Sequence, residues 1–356
     1  MTPPLLVALA LVASIQSAPP RASQVVTREA WVMGTRLGVV VEASSTAGAG
    51  EAAENVMLEV ERFERMLSTW DPESEMHAVN TAAVGSPFWP GSELALLLAE
   101  ADRYSRISGG AFDARVGALV DAWDMRGSGV VPTPDMLTRA LNAAGSGSIS
   151  VDEHTGTVVR HDAAAWMDTG GFGKGAALRS AAQGLELAHV DRALIDLGGQ
   201  LWAQGSADEP WRVSVAHPTK RRQPVVHLEI HGVSVATSGT SERFIEIDGV
   251  RRGHILDPRT GQPSRAWGSV TVVSADPVEA DAVATALYVM GPQVGLAWAE
   301  RQDGLHALFL QVEDGELTAS WTPGMEQWLT DPPESLAPEH QSPGHRTHTH
   351  ESRNHQ

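Results

Sequence analysis

A glycine-rich segment, residues 168–175, has residue types that point to ligand chemistry. Four of the six residues from 170 to 175 are glycine, and a run typical of a helix follows. Glycine lets the backbone approach a ligand closely, and amide groups at a helix start can face an anion. Lys174 adds a positive charge there, but the spacing and the missing Ser or Thr after it do not match a P-loop. The alternative interpretation is a tight connection that binds nothing.

A carboxylate and a hydroxyl stand one helical turn apart at Asp281 and Thr285. Residues four apart share one face of a helix. Oxygen atoms of these two types suit a hard cation such as Mg²⁺. Spacing alone favours the alternative, in which Asp281 is an exposed acid of the first turn and Thr285 fills space among alanines.

His254 stands at the end of a predicted strand and precedes the turn sequence Asp-Pro-Arg-Thr-Gly at 257–261. Histidine is the usual general base near neutral pH. A structural histidine that caps the turn is the equally weighted alternative.

The fourth segment with candidate chemistry is Gly-Gly-Ala-Phe-Asp at 109–113. Phe112 can stack on a planar ring while Asp113 accepts a hydrogen bond from the same ligand. The alternative is a helix start in which Asp113 is the N-cap.

Composition excludes several classes of protein. The chain has 356 residues, 42% of them hydrophobic, a formal net charge of −18 and no cysteine. The acidic excess argues against nucleic-acid binding and against adhesion to anionic lipid. Without cysteine there are no disulfides, thiol nucleophiles or Cys-ligated metals, and the usual lipid-anchor cysteine is missing. Only Lys174 and Lys220 among the 26 basic residues are lysine.

The two ends of the chain differ in composition from its middle. Residues 4–15 are an apolar run followed by Ser17 and Ala18, which predicts a signal peptide over 1–18 and export to the periplasm or cell envelope. A retained leader at the membrane stays open. Residues 331–356 are rich in Pro and His and poor in apolar residues, which predicts a disordered tail.

Helical and strand patterns alternate between these ends. Apolar spacing predicts helices at 51–67, 92–107, 174–188 and 277–300, the last broken at Gly291-Pro292. Short runs rich in Val, Ile and Leu predict strands at 37–41, 193–197, 226–236, 243–247 and 268–274. No linker composition interrupts the middle of the chain, so a single domain over 25–330 is the economical prediction.

Taken in order, these segments resemble the ApbE family of FAD:protein FMN transferases, over nearly all of residues 28–312. Any one motif is modest evidence, but the series is highly specific. The matching stretches are Met33-Gly34-Thr35, Ser68-Thr69-Trp70-Asp71-Pro72, Gly110-Ala111-Phe112-Asp113, residues 168–175, Asp196-Leu197-Gly198-Gly199, Ala236-Thr237-Ser238-Gly239 with Glu242-Arg243-Phe244, residues 254–261, and Glu279-Ala280-Asp281 with Thr285-Ala286-Leu287.

The resemblance implies a fold and a set of residue roles. The fold is α+β, a single large ApbE-like (T-fold-like) domain with mixed sheets and packed helices. Catalytic roles fall to His254, which assists deprotonation of the acceptor hydroxyl, and Asp281. Mg²⁺ ligands are the Gly171 carbonyl, Asp281 and Thr285. The implied contacts to FAD are Met33, Trp70, Ala111, Phe112, Asp113, Asp168, Lys174, His254 and Ile255.

The reaction that the resemblance implies is Mg²⁺-dependent transfer of FMN from FAD to a threonine of an acceptor protein, with AMP released. Family acceptors are typically subunits of membrane redox complexes. Two alternatives remain: Mg²⁺-dependent hydrolysis of FAD to FMN and AMP, and an exported protein that binds FAD without turnover. Some positions depart from the family pattern, including Gln200 where an acid is common, Gly173 for alanine and Thr240-Ser241 for Asp or Asn followed by Tyr.

Overall fold

Helices and strands alternate through the residues that the computed structural model describes, which are 23–239, 244–247 and 250–330. The helices there are α1 (Thr46–Leu67), α2 (Glu75–Thr81), α3 (Ser92–Ile107), α4 (Gly117–Ala122), α5 (Pro134–Asn142), α6 (Gly173–Leu187), α7 (Pro277–Met290) and α8 (Pro292–Ala299), with a 3₁₀ helix at Pro323–Trp328. No helix in these ranges has the length and apolarity to cross a bilayer. The predicted leader (1–18) and tail (331–356) lie outside the described residues.

The strands are short and many. They are β1 (Gln24–Val32), β2 (Thr35–Ala43), β3 (Ile149–Val151), β4 (Val158–Arg160), β5 (Arg192–Leu197), β6 (Gln200–Gln204), β7 (Trp211–His217), β8 (Lys220–Ile230), β9 (Val233–Gly239), β10 (Phe244–Ile247), β11 (Val250–Gly253), β12 (Leu256–Asp257), β13 (Gln262–Pro263), β14 (Gly268–Ser274), β15 (His306–Glu313), β16 (Glu316–Trp321) and β17 (Leu329–Thr330).

Most predicted elements are confirmed, with two differences. Helix α1 begins at 46 rather than 51, because the Ser45 hydroxyl caps it by accepting a hydrogen bond from the Gly48 amide at 3.1 Å. The single strand predicted at 226–236 is wrong. β8 ends at 230 and β9 begins at 233, because the chain turns at Gly232, whose φ of 62° lies in the left-handed region.

An eight-stranded antiparallel sheet is the frame of the fold. Its strand order is β1-β2-β5-β6-β9-β14-β15-β16, so strands distant in sequence become neighbours at β2-β5 and β9-β14. Smaller antiparallel sheets accompany it, among them β17-β8-β7. Helices packed on antiparallel sheets make an α+β fold, as predicted.

The two faces of the large sheet bury separate hydrophobic cores. On one face α1, α6 and α7 cover residues such as Val39, Ile195 and Val270. On the other face, the three-stranded sheet β17-β8-β7 covers the large sheet at β9, β14 and β15. Leu228 and its neighbours pack there against side chains of these three strands. Each fully buried aliphatic side chain contributes about 1.5–3 kcal/mol, so this double burial makes the sheet a rigid support.

Two tight turns lie side by side at one end of the sheet. Met33 and Gly34 join β1 to β2 with φ values of 52° and 67°, as a two-residue hairpin turn requires. Gly198 begins the turn from β5 to β6, where a Cβ would lie 2.5 Å from Oγ1 of Thr35. A Cβ built on Gly173 would lie 3.6 Å from the Met33 Cε atom, so the Met33 side chain lies against Gly173. The start of α6 therefore sits against this end of the sheet.

Candidate active site

The amino-terminal ends of α6 and α7 abut because position 175 is glycine. A Cβ at Gly175 would lie 2.3 Å from the Pro277 carbonyl oxygen and 2.7 Å from the Val278 Cα. Only a residue without a side chain allows this approach. The contact places the glycine-rich segment beside the first turns of α7, where Asp281 stands.

Asp281 and Lys174 form an ion pair at this junction. Lys174 Nζ lies 2.8 Å from Oδ1 of Asp281, and the Gly175 amide donates to Oδ2 at 3.0 Å. Asp281 is only 5% exposed. The exposed first-turn acid considered for Asp281 is therefore wrong, because the carboxylate points inward to a cation and an amide that compensate its charge.

Thr285 lies one turn further along α7 and faces the glycine-rich segment. Its Oγ1 donates to the Asp281 carbonyl at 3.3 Å. A Cβ built on Gly171 would lie 3.5 Å from that Oγ1 and 3.0 Å from Cε2 of Phe112. The helical spacing thus places the hydroxyl next to Gly171, so two of the three predicted ligand residues are in contact range.

Met33 is held in its turn by a side chain from α1. Its backbone amide donates to Oε1 of Glu64 at 2.6 Å. A non-glycine residue with positive φ is strained unless its surroundings fix it. Glu64 therefore helps to fix the turn that points Met33 at the start of α6. No pattern in the sequence predicts Glu64 as a partner of Met33, because nothing in its own helix marks it.

Trp70 and Asp168 are joined by a residue that the sequence analysis also missed, Arg126. The Arg126 guanidinium carbon lies 4.4 Å from the ring centroid of Trp70 and 4.4 Å from that of Trp166. One guanidinium nitrogen donates to Oδ2 of Asp168 and to Oγ1 of Thr69, both at 2.7 Å. Trp70 is 69% exposed, so its indole remains open to a ligand. Arg126 follows no motif, and only the fold brings it to these partners.

A cleft of about 870 Å³ opens beside Arg126. Its lining includes Trp166 and Asp121 and three arginines, Arg126, Arg139 and Arg160. Ligand pockets commonly have volumes of about 300–1,000 Å³. None of the predicted FAD or metal residues lines the cleft, which adjoins the site through Thr69 and Arg126. Arg126 is paired with Asp168, and Arg160 is buried and donates to backbone carbonyls, so we assign no part of FAD to this cleft.

The segment at 109–113 is buried rather than open. Phe112 and Asp113 are 3% and 8% exposed, and Ala111 is fully buried. Asp113 accepts from Arg115 Nε and Ser105 Oγ, each at 2.8 Å. The alternative role of Asp113 as an N-cap is wrong, because α4 begins at 117 and Val116 is its N-cap. Arg115 and Ser105 thus fix the loop that carries Phe112 to Gly171.

His254 is half-buried between β11 and β12. The following residues form a hairpin in which the Ser264 amide donates to the Ile255 carbonyl at 2.8 Å. Trp123 Nε1 donates to the Gly261 carbonyl at 2.7 Å and anchors the hairpin to α4. Cγ of Arg259 lies 3.5 Å from where a Cβ on Gly110 would be. These contacts connect the His254 segment to the loop that carries Phe112.

The structure thus links six of the segments that the sequence marks as candidates. Met33, the glycine-rich segment and the first turns of α7 are in direct contact, and Phe112 and Thr285 meet at Gly171. Trp70 reaches Asp168 through Arg126, and the His254 segment joins through Arg259. The FAD, metal and catalytic roles of these residues remain predictions.

The residues around Asp281 fit a hard cation. One carboxylate, one hydroxyl and the backbone of Gly171 offer the oxygen donors that Mg²⁺ prefers, and Mg²⁺ usually keeps several waters. Within the described ranges, no group of three or more His, Asp or Glu residues could hold a metal ion. A site with one carboxylate binds Mg²⁺ weakly by itself and becomes complete when substrate phosphates supply further oxygens.

The sequence is similar to a known protein family and to known flavin transferases over most of its length. The model of the ApbE family matches residues 33–309. The FAD:protein FMN transferase of Klebsiella pneumoniae (strain 342) is 32% identical over 299 residues, which cover 81% of this chain and 85% of that protein. That of Treponema pallidum (strain Nichols) is 32% identical over 303 residues, 80% and 84% of the two chains.

Solved structures share the fold as well. The crystal structure of the Pseudomonas stutzeri flavinyl transferase ApbE, in its apo form, superposes with a TM-score of 0.76 at 28% identity and covers 86% of this chain and 96% of that one. The ApbE protein from Thermotoga maritima gives a TM-score of 0.77 at 27% identity and covers 85% and 98%.

Proposed function

Because the chain belongs to the ApbE family of flavin transferases, we propose that it moves FMN from FAD to a threonine hydroxyl of an acceptor flavoprotein, with Mg²⁺ required and AMP released. The observation that carries the proposal is the junction of α6 and α7. There Lys174, Asp281 and the glycine-rich segment gather within hydrogen-bonding distance of one another.

In the proposed reaction the threonine oxygen attacks the phosphorus on the FMN side of the pyrophosphate. A new phosphoester bond forms there, the bond to the bridging oxygen breaks, and that oxygen leaves with AMP. The hydroxyl proton passes to the His254 ring. The two barriers are the negative charge of the pyrophosphate and the weak nucleophilicity of an alcohol, so the site needs cations and a base.

Local cations are essential because the protein as a whole repels FAD. The net charge of −18 opposes an anionic substrate. Lys174 and the amides at the start of α6 offset this charge at one place. We assign FAD contacts to Met33, Trp70, Asp168, Lys174 and His254, and, through their backbone alone because their side chains are buried, to Ala111, Phe112, Asp113 and Ile255.

We assign Asp281, Thr285 and the Gly171 carbonyl to Mg²⁺. When bound, the ion neutralises phosphate charge and polarises the phosphoryl group. The support is the inward-facing carboxylate and the hydroxyl held beside Gly171. Asp281→Ala should abolish the transfer of FMN, whereas Asp303→Ala on the surface should leave it unchanged. A fully active and metal-independent Asp281→Ala protein would refute the metal assignment.

Incubation with FAD, Mg²⁺ and a candidate acceptor tests the reaction type. Transfer predicts covalent flavin on the acceptor and one AMP for each flavin attached. AMP without labelled acceptor would instead indicate hydrolysis of FAD. FAD that stays intact with Mg²⁺ would indicate a flavin-binding protein without turnover. The assay therefore separates the proposed function from both alternatives.

We also propose that the protein is exported to the periplasm or cell envelope. The support is the apolar run at 4–15 followed by Ser17 and Ala18, which has the form of a signal peptide. Fractionation of cells that express the full chain, with sizing of the mature protein, tests this assignment. A full-length product in the cytoplasm would contradict it.

A further inference from the structure

Both oxygens of the Asp281 carboxylate already have partners. Oδ2 accepts from the Gly175 amide at 3.0 Å, and Oδ1 lies 2.8 Å from the Lys174 ammonium. The Gly175 amide belongs to the first turn of α6 and is packed against Pro277, so it cannot leave without separating two helices. Oδ2 keeps a second lone pair but is fixed against the start of α6, whereas the partner of Oδ1 is a side chain that can move, so Oδ1 is the oxygen that a cation binding Asp281 can reach by displacing Lys174.

Lys174 differs from the Gly175 amide in that its ammonium can move without any change of the backbone. Its side chain is 29% exposed, against 7% for that of Asp281, and it ends a flexible four-carbon stem. An ammonium at Oδ1 and a divalent ion on the same oxygen repel each other strongly at such short range. Rotation of one side chain toward solvent relieves that repulsion without any movement of the backbone.

We infer that Lys174 and a divalent cation alternate at Oδ1 of Asp281. Without metal, Lys174 neutralises the buried carboxylate. When Mg²⁺ binds, Lys174 turns away and its ammonium becomes available to the pyrophosphate of FAD. The inference rests on the proposed function, since it assumes the Mg²⁺ site there, and it adds that the binding of metal releases the cation that receives the substrate.

The simpler alternative is that Lys174 is a fixed tie between α6 and α7. A fixed tie keeps its contact to Asp281 whether or not metal is present, and its removal weakens the metal site together with the fold. If Lys174 and the metal alternate, Lys174 loses its contact to Asp281 when metal binds, and removal of Lys174 does not weaken the metal site. Removing the lysine should favour the metal, because Mg²⁺ then has no competitor for Oδ1.

The rarity of lysine makes a direct test simple. Lys174 and Lys220 are the only two lysines of the chain, so reductive methylation followed by peptide mass spectrometry reports on Lys174 with Lys220 as an internal reference. With Mg²⁺ alone as the probe, the labelling rate of Lys174 should rise about fivefold, the factor expected for release of one ion pair, while Lys220 is unchanged. Equal Lys174 rates at Mg²⁺ concentrations that raise the melting temperature would overturn the inference.

Calorimetric titration of the full chain with Mg²⁺ supplies the second test. Lys174→Met should bind Mg²⁺ about fivefold more tightly than the unmodified protein. Lys220→Met should bind Mg²⁺ with the same affinity as the unmodified protein. Equal or weaker binding by Lys174→Met overturns the alternation but leaves the metal site in place. Because the site alone binds Mg²⁺ weakly, the titrations extend to the high Mg²⁺ concentrations that a weak site requires. Absence of Mg²⁺ binding in all three proteins over that whole range, with folding verified by circular dichroism, overturns the metal site and the alternation together.

Discussion

At the scale of single residues, the candidate site is built from charged side chains that neutralise one another across the fold. Lys174 meets Asp281, and Arg126 meets Asp168 while it stacks on Trp70. A partly buried charge without a partner is costly, so each pair stabilises both of its members in one geometry. The Arg126 contacts therefore hold Trp70 and Asp168 in place before substrate arrives, whereas the pair with Asp281 holds Lys174 in its metal-free position.

Arg126 should influence the binding of FAD more than the stability of the protein. Arg126→Lys keeps a positive charge near Asp168 but loses the planar face that stacks on Trp70 and Trp166. We expect the FAD dissociation constant to rise about twofold to fivefold, since a cation–π contact contributes about 0.5–1 kcal/mol. Titration with FAD in Mg²⁺-free buffer measures it. Arg301→Lys, on the surface of the protein, is the matched control, and equal affinities for FAD in both variants would contradict this role.

His254 should affect the chemical step. His254→Asn keeps a polar side chain of similar size but cannot accept the hydroxyl proton. The rate of FMN transfer should fall by about 10²–10⁴, the usual contribution of a general base. Single-turnover assays at saturating FAD and acceptor isolate this rate from binding. A variant with an undiminished rate would show that another group accepts the proton.

At the scale of elements, the junction of α6 and α7 depends on close contact between two helix starts. Arg179 on α6 bonds to Glu100 of α3 at 2.7 Å and to Asp276, the N-cap of α7, at 2.8 Å. This cluster and Gly175 fix both helices against each other. Their amino-terminal ends, which carry partial positive charge, then lie together where the pyrophosphate is proposed to bind.

Gly175→Ala and Gly184→Ala test this junction within one helix. At Gly175 the new methyl group meets the Pro277 carbonyl, so we expect a loss of about 1–3 kcal/mol in the free energy of unfolding. At Gly184 no atom lies within 4 Å, and alanine should stabilise α6 by about 0.5–1 kcal/mol. Urea denaturation measures both effects. Equal free energies of unfolding for the two variants would mean that α6 and α7 can move apart at Gly175 without loss of stability.

Sequence patterns predicted the elements of the site better than their contacts. Helix periodicity located α3 and the break between α7 and α8, and motif order located Asp281 and the glycine-rich segment. The pairing of Lys174 with Asp281 joins residues 107 positions apart, and no local pattern encodes it. Arg126 and Glu64 escaped notice for the same reason, because their partners come from other elements.

At the scale of the whole molecule, one antiparallel sheet with two hydrophobic faces carries the site at its end. The sheet buries a helical layer on one side and a small sheet on the other, so the turns at Met33 and Gly198 have a rigid base. The net charge of −18 opposes the approach of an anionic substrate, so local cations at the site matter for its binding.

Mass spectrometry of the acceptor tests the central claim most directly. A candidate acceptor is incubated with this protein, FAD and Mg²⁺, and its peptides are sequenced beside those of an acceptor in which the target threonine is alanine. We predict a gain of one FMN on that threonine, absent from the alanine acceptor and from reactions without Mg²⁺. Release of AMP while every acceptor peptide keeps its original mass would contradict the claim.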